Sequence, residues 1–295
     1  MNRAVQPPID ASTRLLAVIG QPIHHSLSPL MHNAALAELG LNWRYMGLEV
    51  APERLEQAIG GLAAIGCRGL SITIPHKERV QPLLSSIDGL ARAVGAVNCL
   101  VPDDHGGWRG TNTDVMGFLT PLQGQVNPGG SALVLGSGGV VRAVLRGCCE
   151  LGVSRVVLRG RNRSKLETLA ADVADWAPAL ELSSADEPIE PYLASSNLVV
   201  NGTPLGMAEL KDQTPLNSPQ LAQLPSDAVV YDVVYTPRPT LLLQLAAKRN
   251  LQTIDGLEML VQQGAAALKL WTELEAVPVE VMRNAANAWL DARQP

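Results

Sequence analysis

The feature that most constrains the fold is an apolar run that leads into a glycine turn and then into a helical pattern. Ala132-Leu133-Val134-Leu135 predicts a buried strand, Gly136-Ser137-Gly138-Gly139 predicts a turn, and the residues from Val140 to about Leu151 predict a helix. Glycines allow a pyrophosphate to approach the backbone, and the N-terminus of a helix attracts its negative charge. This order therefore predicts the opening of a dinucleotide-binding unit. Val141 occupies the place of a third glycine, so we expect looser helix packing there.

The next predicted strand, Arg155 to Leu158, ends in a basic segment. Folds that bind NAD usually place an acidic residue about 20 residues beyond the glycine turn, where it holds the ribose diol. No Asp or Glu lies between Glu150 and Glu167, and the predicted strand is followed by a cluster of four cations, Arg159, Arg161, Arg163 and Lys165. Such a cluster suits a 2′-phosphate, so it predicts NADP as the cofactor. The alternative is a solvated basic loop.

The composition narrows the class of protein. At 295 residues the chain is long enough for one large domain or two of ordinary size, and 46% apolar residues suffice for a large core. The net charge of −5 argues against general binding to nucleic acid or to a membrane surface. Four cysteines without a C-x-x-C pair or a nearby histidine cluster predict buried thiols, no metal site and a cytoplasmic location. The first thirteen residues lack a signal-peptide core and are expected to form a short, disordered or loosely docked extension.

A second constrained stretch, Gly69 to Lys77, delivers polar groups at the end of a predicted strand. Apolar and hydroxyl residues alternate from Leu70 to Ile74, and Pro75, which cannot donate to a sheet, should end the strand. Thr73 and Lys77 are then placed at its carboxyl end, which is where open α/β sheets bind ligands. Lys77 is the candidate catalytic residue. The alternative is a strand followed by a solvated lysine.

Two serines precede a predicted helix near the start of the chain. Ser28 followed by Pro29 is typical of an N-cap and the first helical residue, in a helix that would run to about Leu39. Capping alone could explain Ser28. With Ser26, however, it also makes a pair of hydroxyls beside a helix N-terminus, which suits a carboxylate.

Three further polar residues stand in apolar surroundings. Asn98 lies inside a predicted strand, residues 95–101, and a buried amide there is either a core hydrogen-bonder or a ligand contact. Asp114 precedes an apolar run and is either a helix N-cap or the carboxylate partner of Lys77. Gln263 shares one face of a predicted helix with Met259, where it is either a ligand contact or a rim residue.

The remaining patterns complete a coarse secondary structure. Strands are predicted at residues 15–20, 43–50, 198–201, 229–235 and 253–254, and helices at 52–60, 79–95, 241–248, 257 onward and 279–292. Within 79–95, Asp88 could cap a second short segment. Residues 183–191 are predicted to be a surface loop. The glycine- and proline-rich stretch from Pro121 to Gly130 predicts a domain linker in or just before it.

These motifs together resemble the shikimate dehydrogenase family over nearly the whole chain beyond residue 14. The shared stretches are Ser26-Leu27-Ser28-Pro29, Thr73-Ile74-Pro75-His76-Lys77, Ala96-Val97-Asn98, Asn112-Thr113-Asp114, Gly136-Ser137-Gly138-Gly139, Asn201-Gly202-Thr203-Pro204 and Asp255-Gly256-Leu257 through Gln263. Each is weak alone, but their joint presence in this order is highly specific.

The resemblance implies a role for each matching residue. The catalytic pair would be Lys77 and Asp114. Ser26 and Ser28 would hold a substrate carboxylate, and the other substrate-binding residues would be Thr73, Asn98, Tyr235 and Gln263, together with the catalytic pair. The cofactor-binding residues would be Gly136, Ser137, Gly138, Gly139, Val140, Gly160, Arg161, Asn162, Lys165, Thr203, Val233, Gly256 and Met259. The family's usual Asn-Arg-Thr aligns with Gly160-Arg161-Asn162, so only the arginine is kept.

The resemblance also implies the fold and the reaction. The fold would be α/β with two domains: residues 1–113 with the C-terminal helices 256–295 as an α/β substrate domain, and residues 114–255 as a Rossmann-like NADP-binding domain with a parallel sheet. The site would lie in the cleft between the domains. The expected reaction is NADP-dependent reduction of 3-dehydroshikimate to shikimate, with no nucleic-acid or membrane partner and with a homodimer left open.

Three rival functions share most of these features. One is a quinate/shikimate dehydrogenase that uses NAD, and another is a non-catalytic ligand sensor of the same fold. The third is a folate-type dehydrogenase, against which the paired serines and Gln263 favour a small acid as substrate.

Overall fold

The computed structural model describes residues 6–293, which form two compact units. Unit 1 comprises the residues up to Thr113 together with those from Leu260 onward, and unit 2 comprises Asp114–Met259. The sequence-based boundaries lie after residues 113 and 255, so the second observed boundary falls four residues later. The stretch from Pro121 to Gly130 lies inside unit 2, where Leu122 is fully buried in the core, so a linker within this stretch is wrong.

The helices and strands follow one another in an alternating order. The strands are β1 Arg14–Gly20, β2 Trp43–Glu49, β3 Leu70–Ile72, β4 Ser86–Ile87, β5 Cys99–Pro102, β6 Trp108–Thr111, β7 Ser131–Leu135, β8 Arg155–Gly160, β9 Ala179–Ser184, β10 Ser196–Asn201, β11 Val229–Asp232 and β12 Gln252–Ile254. The α-helices are α1 Ser28–Glu38, α2 Leu55–Ala64, α3 Gly89–Val94, α4 Asp114–Leu119, α5 Gly139–Glu150, α6 Arg163–Val173, α7 Glu190–Leu193, α8 Ser218–Leu221, α9 Leu241–Ala247, α10 Gly256–Thr272 and α11 Val279–Asp291. Short 3₁₀ turns occur at Pro52–Arg54, Gln81–Leu83, Thr120–Leu122 and Ala208–Leu210.

Unit 1 contains a mixed sheet in the order β2-β1-β3-β5-β6-β4. Strand β1 runs parallel to β2 and β3, whereas β5 is antiparallel to both β3 and β6. The strand predicted from this alternation is present, but β3 ends at Ile72 and not at Pro75, and its hydroxyl residue Ser71 is buried like its apolar neighbours Leu70 and Ile72. The reason is that β3 lies in the middle of the sheet with both faces covered.

Unit 2 contains a wholly parallel sheet in the order β12-β11-β10-β7-β8-β9. Apolar clusters cover both faces, because Val134 packs into one cluster while its neighbour Leu133 packs into the other. The strand order reverses between β7 and β10, and the crevice outside their carboxyl ends is where open α/β sheets bind dinucleotides. This is the Rossmann arrangement expected from the glycine turn.

Several local predictions are corrected. Residues 79–95 are not helical throughout, since they contain a 3₁₀ turn, the short strand β4 and helix α3. The interpretation of Asp88 as the cap of a second short segment is confirmed, because Asp88 accepts from the Ala91 amide at 2.8 Å at the start of α3. Residues 183–191 are not only a loop, since they include the end of β9 and the start of α7. The sequence of β9 does not predict a strand, because it mixes polar and apolar residues and places the polar Ser183 in a fully buried position.

The first part of the chain is docked from residue 6, where Gln6 donates to the Trp43 carbonyl at 3.0 Å, and residues 1–5 lie outside the described part.

Candidate active site

The candidate substrate residues of unit 1 gather at one edge of its sheet, which we call the polar edge. It is formed by the carboxyl ends of β1, β3 and β6 and the amino end of β5, which the strand directions place side by side. Ser26 and Ser28 follow β1, Thr73 and Lys77 follow β3, and Asn98 directly precedes β5. Five predicted substrate residues from three separate segments are thereby brought together.

Asn98 is the centre of a hydrogen-bond network at the polar edge. It is 3% exposed, its Oδ1 accepts from the Thr113 amide at 2.7 Å, and its Nδ2 donates to Thr113 Oγ1 at 3.1 Å. The same Nδ2 lies 3.5 Å from Oε1 of Gln263, whose own amide donates to the Leu260 carbonyl at 2.9 Å. Helix α10 thus brings Gln263 to a residue 165 positions earlier in the chain. Asn98 precedes β5 and is not inside a strand, which corrects the prediction.

The segment from Thr73 to Lys77 is fastened to its neighbours through the backbone. The Thr73 amide donates to the Ile19 carbonyl at 3.0 Å, and the Lys77 carbonyl accepts from the Val97 amide at 2.9 Å. A Cβ on Gly20 would lie 2.4 Å from the Thr73 methyl carbon, so β1 must end in glycine for Thr73 to sit there. The half-buried Lys77 is therefore held next to the residues that lead into Asn98.

Capping does not explain Ser28. Helix α1 starts at Ser28 itself, the N-cap residue is Leu27, and no side chain makes a capping hydrogen bond, so the capping prediction is wrong. Instead, Ser26 Oγ accepts from the Ser28 amide at 3.3 Å, and the buried Ser28 hydroxyl interacts with that of Tyr45. The two serines are thus adjacent, at the N-terminus of an 11-residue helix that has positive partial charge.

Two predicted substrate residues belong to unit 2. Asp114 is the first residue of α4, follows Thr113 directly in the chain and is 8% exposed. Tyr235 lies beyond the end of β11, which finishes at Asp232 and not at Tyr235 as predicted. Its pKa is raised by burial.

The glycine turn of unit 2 opens onto a cavity of about 670 Å³, a volume typical of sites for small molecules. Gly136 has a φ of +117°, and a Cβ there would lie 2.7 Å from the Gly202 carbonyl oxygen, so no other residue fits. Gly138 is the N-cap of the 12-residue helix α5 and leaves the first turn uncapped by any side chain. Such a helix end suits a pyrophosphate. The residue at the third-glycine position, Val141, is buried close to Gly202, whose lack of a side chain leaves room for it.

Eight of the predicted cofactor residues line this cavity: Gly136, Ser137, Gly138, Gly160, Arg161, Asn162, Lys165 and Thr203. Gly139 and Val140 form the first turn of α5 beyond the glycine loop and are not part of the lining. None of the lining residues is acidic, and three are basic. The lining therefore fits a cofactor that carries an additional phosphate.

The four cations of the basic segment differ in what they contact. Arg163 donates to Glu167 at 3.0 Å and to the Leu182 carbonyl at 3.1 Å, and it does not line the cavity. Arg159 is held by three acceptors of β9 and the turn after it. Only Arg161 and Lys165 line the cavity with side chains that have no hydrogen-bond or ion-pair partner within residues 6–293. The predicted cluster of four phosphate donors is thus divided: Arg163 lies outside the cavity lining, Arg159 lines it but is already hydrogen-bonded, and Arg161 and Lys165 stay the candidate phosphate ligands.

The three residues predicted for the nicotinamide side form a second group outside the cavity lining. A Cβ on Gly256 would lie 2.1 Å from the Val233 carbonyl oxygen, so the two backbones are in direct contact. Met259 is buried in the apolar cluster against which Val233 packs. The Arg238 side chain supports this group, since its Nε donates to Asp255 Oδ2 at 2.7 Å.

Asp232, which the sequence analysis did not single out, links the two groups of unit 2. Its Oδ1 accepts from Asn201 Nδ2 at 2.9 Å and from the Val234 amide at 3.0 Å, and its Oδ2 accepts from Thr240 Oγ1 at 2.6 Å. Asn201 in turn accepts from the Thr203 amide and hydroxyl at 3.0 and 2.7 Å. Burial of the carboxyl raises the pKa of Asp232 to about 6, against the opposing effect of its donors.

Sequence reasoning also missed the far wall of the cavity. This wall contains Ala185, Ile189, Leu205, Leu210, Gln213, Pro215 and Gln220. Among these residues, only Leu205 could have been predicted as a site residue from the sequence, because it follows Asn201-Gly202-Thr203-Pro204 in a turn at the end of a strand. The others come from segments whose sequences resemble ordinary surface turns.

Residues 6–293 contain neither a candidate membrane span nor a candidate metal site. No helix in this part of the chain is both long and apolar enough to cross a membrane. No group of three or more His, Cys, Asp or Glu residues in the same part could hold a metal ion.

Comparison with known proteins gives one consistent result. The family model for the shikimate dehydrogenase substrate binding domain matches residues 18–100, and that for the shikimate 5′-dehydrogenase C-terminal domain matches residues 256–286. A curated relative, shikimate dehydrogenase (NADP(+)) of Synechococcus sp. (strain JA-3-3Ab), is 50% identical over 285 residues, which cover 96% of each chain.

Two solved structures extend the likeness to the whole fold. Shikimate 5-dehydrogenase from Listeria monocytogenes, in complex with shikimate and NAD, superposes with a TM-score of 0.88 at 30% identity and covers 96% of this chain and 99% of that one. The enzyme from Thermus thermophilus, in complex with NADP(H) and shikimate, gives a TM-score of 0.81 at 33% identity with 93% and 99% coverage. With a curated relative at 50% identity along nearly its full length, this chain belongs to the shikimate dehydrogenase family.

Proposed function

We propose that this protein is an NADP-dependent shikimate dehydrogenase, an oxidoreductase that reversibly reduces 3-dehydroshikimate to shikimate. This reaction belongs to chorismate and aromatic amino acid biosynthesis. The curated relatives carry the name shikimate dehydrogenase (NADP(+)), and the Thermus structure contains NADP(H) and shikimate.

The observation that carries the proposal is the polar edge of unit 1. It gathers hydroxyls, amides and one ammonium group from Ser26, Ser28, Thr73, Asn98 and Lys77, with Gln263 bonded to Asn98. A small acid with several ring hydroxyls needs this mixture of donors and acceptors, whereas an apolar ligand would leave them unsatisfied.

We assign the catalytic pair to Lys77 and Asp114. When bound, NADPH supplies a hydride, which becomes bonded to the carbonyl carbon of the substrate. The Lys77 ammonium donates a hydrogen bond to the carbonyl oxygen, stabilises its developing negative charge and provides a proton to it. Asp114 orients Lys77 and accepts from a neighbouring substrate hydroxyl. Ser26 and Ser28 bind the carboxylate at the N-terminus of α1.

The cofactor cavity of unit 2 is assigned by its chemistry. The glycine turn and the N-terminus of α5 take the pyrophosphate, while Arg161 and Lys165 take the 2′-phosphate. Val233, Gly256 and Met259 serve the nicotinamide side. Unit 1 is thus the substrate domain and unit 2 the cofactor domain. A cytoplasmic location and a homodimer stay predictions.

Absorbance at the nicotinamide band tests this proposal directly. Purified protein is given shikimate with NADP, then shikimate with NAD, then quinate with each cofactor. We expect the highest kcat/KM for shikimate with NADP. Equal efficiency with quinate and NAD would favour the broader quinate/shikimate dehydrogenase, and a folded protein with no turnover would favour a ligand sensor.

A further inference from the structure

Arg159, at the end of β8, makes an unusually complete set of contacts for a cation beside a predicted phosphate site. Its guanidinium donates to Ser183 Oγ at 2.6 Å, to the Ala185 carbonyl at 2.9 Å and to the Glu187 carbonyl at 2.6 Å. Arg159 and the fully buried Ser183 are register partners on β8 and β9, so this contact lies within the sheet. The guanidinium therefore donates its hydrogen bonds to β9 and to the turn after it.

The turn that Arg159 holds, residues 185–189, forms part of the cofactor cavity. Ala185 and Ile189, at its two ends, line the cavity, and Ile189 is 5% exposed. The Glu187 amide donates to the Ser184 carbonyl at 3.1 Å, and its carboxylate accepts from the Ser184 amide at 2.9 Å, which closes the turn locally. Arg159 supplies the additional contacts that join this closed turn to β8.

The rest of the cavity determines what this turn would face. The pyrophosphate belongs at the glycine turn, and the 2′-phosphate belongs at Arg161 and Lys165. The remaining wall is largely apolar and includes Ala185, Ile189 and Leu205. A flat aromatic base with apolar faces suits this wall, because both phosphate groups are accounted for elsewhere.

We propose that Arg159 is a positioning residue that holds the 185–189 turn as the wall against which the adenine ring of the cofactor packs. Arg159 then sets the affinity for the adenosine half, which NADP and NAD share, whereas Arg161 recognises the phosphate that only NADP carries. The inference rests on the proposed function to the extent that it takes this cavity as the cofactor site.

The test compares three arginines of one segment, replaced singly as Arg159→Ala, Arg161→Ala and Arg163→Ala. The Kd for NADP and for NAD is measured by calorimetry on the full chain without substrate. Arg159→Ala should raise both constants by the same factor, about tenfold, since hydrogen bonds from a charged group are lost from the wall. Arg161→Ala should weaken NADP alone, and Arg163→Ala should change neither. At saturating NADP, kcat of the Arg159 variant should match the wild type.

Two outcomes would overturn the assignment: weaker binding of NADP alone, which would make Arg159 a phosphate ligand, or unchanged Kd for both cofactors. If Arg159→Ala does not fold, Ser183→Ala decides, because it removes one acceptor of Arg159 and should raise both constants by a smaller, equal factor. Unchanged constants in that variant would also overturn the proposal. A wild-type protein that binds both cofactors but does not oxidise shikimate would contradict the proposed function and not this inference.

Discussion

The two units build their sites from different parts of the polypeptide. In unit 2 the proposed cofactor site is formed largely by backbone, with two glycines in close contact and the N-terminus of α5 opening onto the cavity. In unit 1 the site is formed by side chains at the ends of four strands, linked by hydrogen bonds such as those of Asn98. A backbone site can be recognised from one contiguous motif, whereas a side-chain site exists only once distant segments have been brought together.

The largest expected effect concerns the side-chain site. Replacing Lys77 with Ala should lower kcat by roughly 10²–10⁴-fold, with a smaller change in KM for shikimate, because general acid–base groups act mainly in the transition state. Steady-state kinetics and cofactor affinity are the measurements, and Lys269→Ala, an exposed lysine of the same unit, is the matched control. Turnover near the wild-type level in the Lys77 variant would remove Lys77 from the mechanism.

The next effect concerns a side chain of the proposed unit 2 site, Arg161. Arg161→Ala should reduce the preference for NADP over NAD by about 10- to 150-fold, which corresponds to the 1.5–3 kcal/mol of a hydrogen bond to a charged group. The ratio of kcat/KM for the two cofactors is the measurement, and Arg163→Ala is the control because Arg163 contacts Glu167. A parallel loss for both cofactors in the Arg161 variant would show that this side chain does not recognise the phosphate.

A third prediction separates binding from stability at the polar edge. The double replacement Ser26→Ala and Ser28→Ala should raise KM for shikimate by about tenfold or more, because two donors to a carboxylate are lost. Asp88→Ala is the control, since Asp88 caps α3 and its loss should cost about 1 kcal/mol of stability without changing KM. If the serine variant melts at a lower temperature but keeps its KM, the serines are structural.

The last prediction concerns stability and not activity, at the buried carboxyl that links the loops of unit 2. The pKa of Asp232 is raised to about 6 in the folded state, against 3.8 in the unfolded state, so the folded protein binds the proton more tightly. The protonated carboxyl therefore contributes to the free energy of unfolding in full below pH 3.8, and this contribution is lost as the pH rises through 6. The variant Asp232→Asn has no proton to lose at this position, so its stability does not decrease in this pH range. Its amide oxygen can accept the same hydrogen bonds as Oδ1. Its stability relative to wild type should therefore increase between about pH 4 and pH 7, by up to about 3 kcal/mol.

Chemical unfolding at several pH values measures this difference. The exposed Asp227→Asn serves as the control, because it removes the same charge from the surface of unit 2. Asp255, paired with Arg238, is the charged neighbour that also raises the pKa of Asp232, so Asp255 must be kept intact in both variants. A stability difference that does not change with pH would contradict the assignment of the raised pKa to Asp232.

The fold was largely predictable because its signals are local. The glycine turn, the buried strands around it and the helix after it are contiguous, and all three occur where the sequence predicts them. The prediction of strands was less accurate where burial depends on elements that are distant in the sequence. Ser71 of β3 is buried because both faces of that strand are covered, and β9 has a mixed polar sequence but pairs with β8 along its whole length, from Ala179 to Ser184.

The amino-acid sequence by itself determined the glycine turn with its preceding strand and following helix, and the absence of an acid in the segment after the second strand of unit 2. These depend on residue type and spacing along a short piece of chain. Only the tertiary structure decided how four neighbouring cations differ, because Arg159 and Arg163 donate to acceptors on β9 and α6, while the side chains of Arg161 and Lys165 line the cavity without such acceptors in residues 6–293. It also decided that Asn98 meets Gln263 and that Asp232 joins two loops, since hydrogen bonds between residues far apart in sequence depend on strand order and direction, which no local pattern encodes.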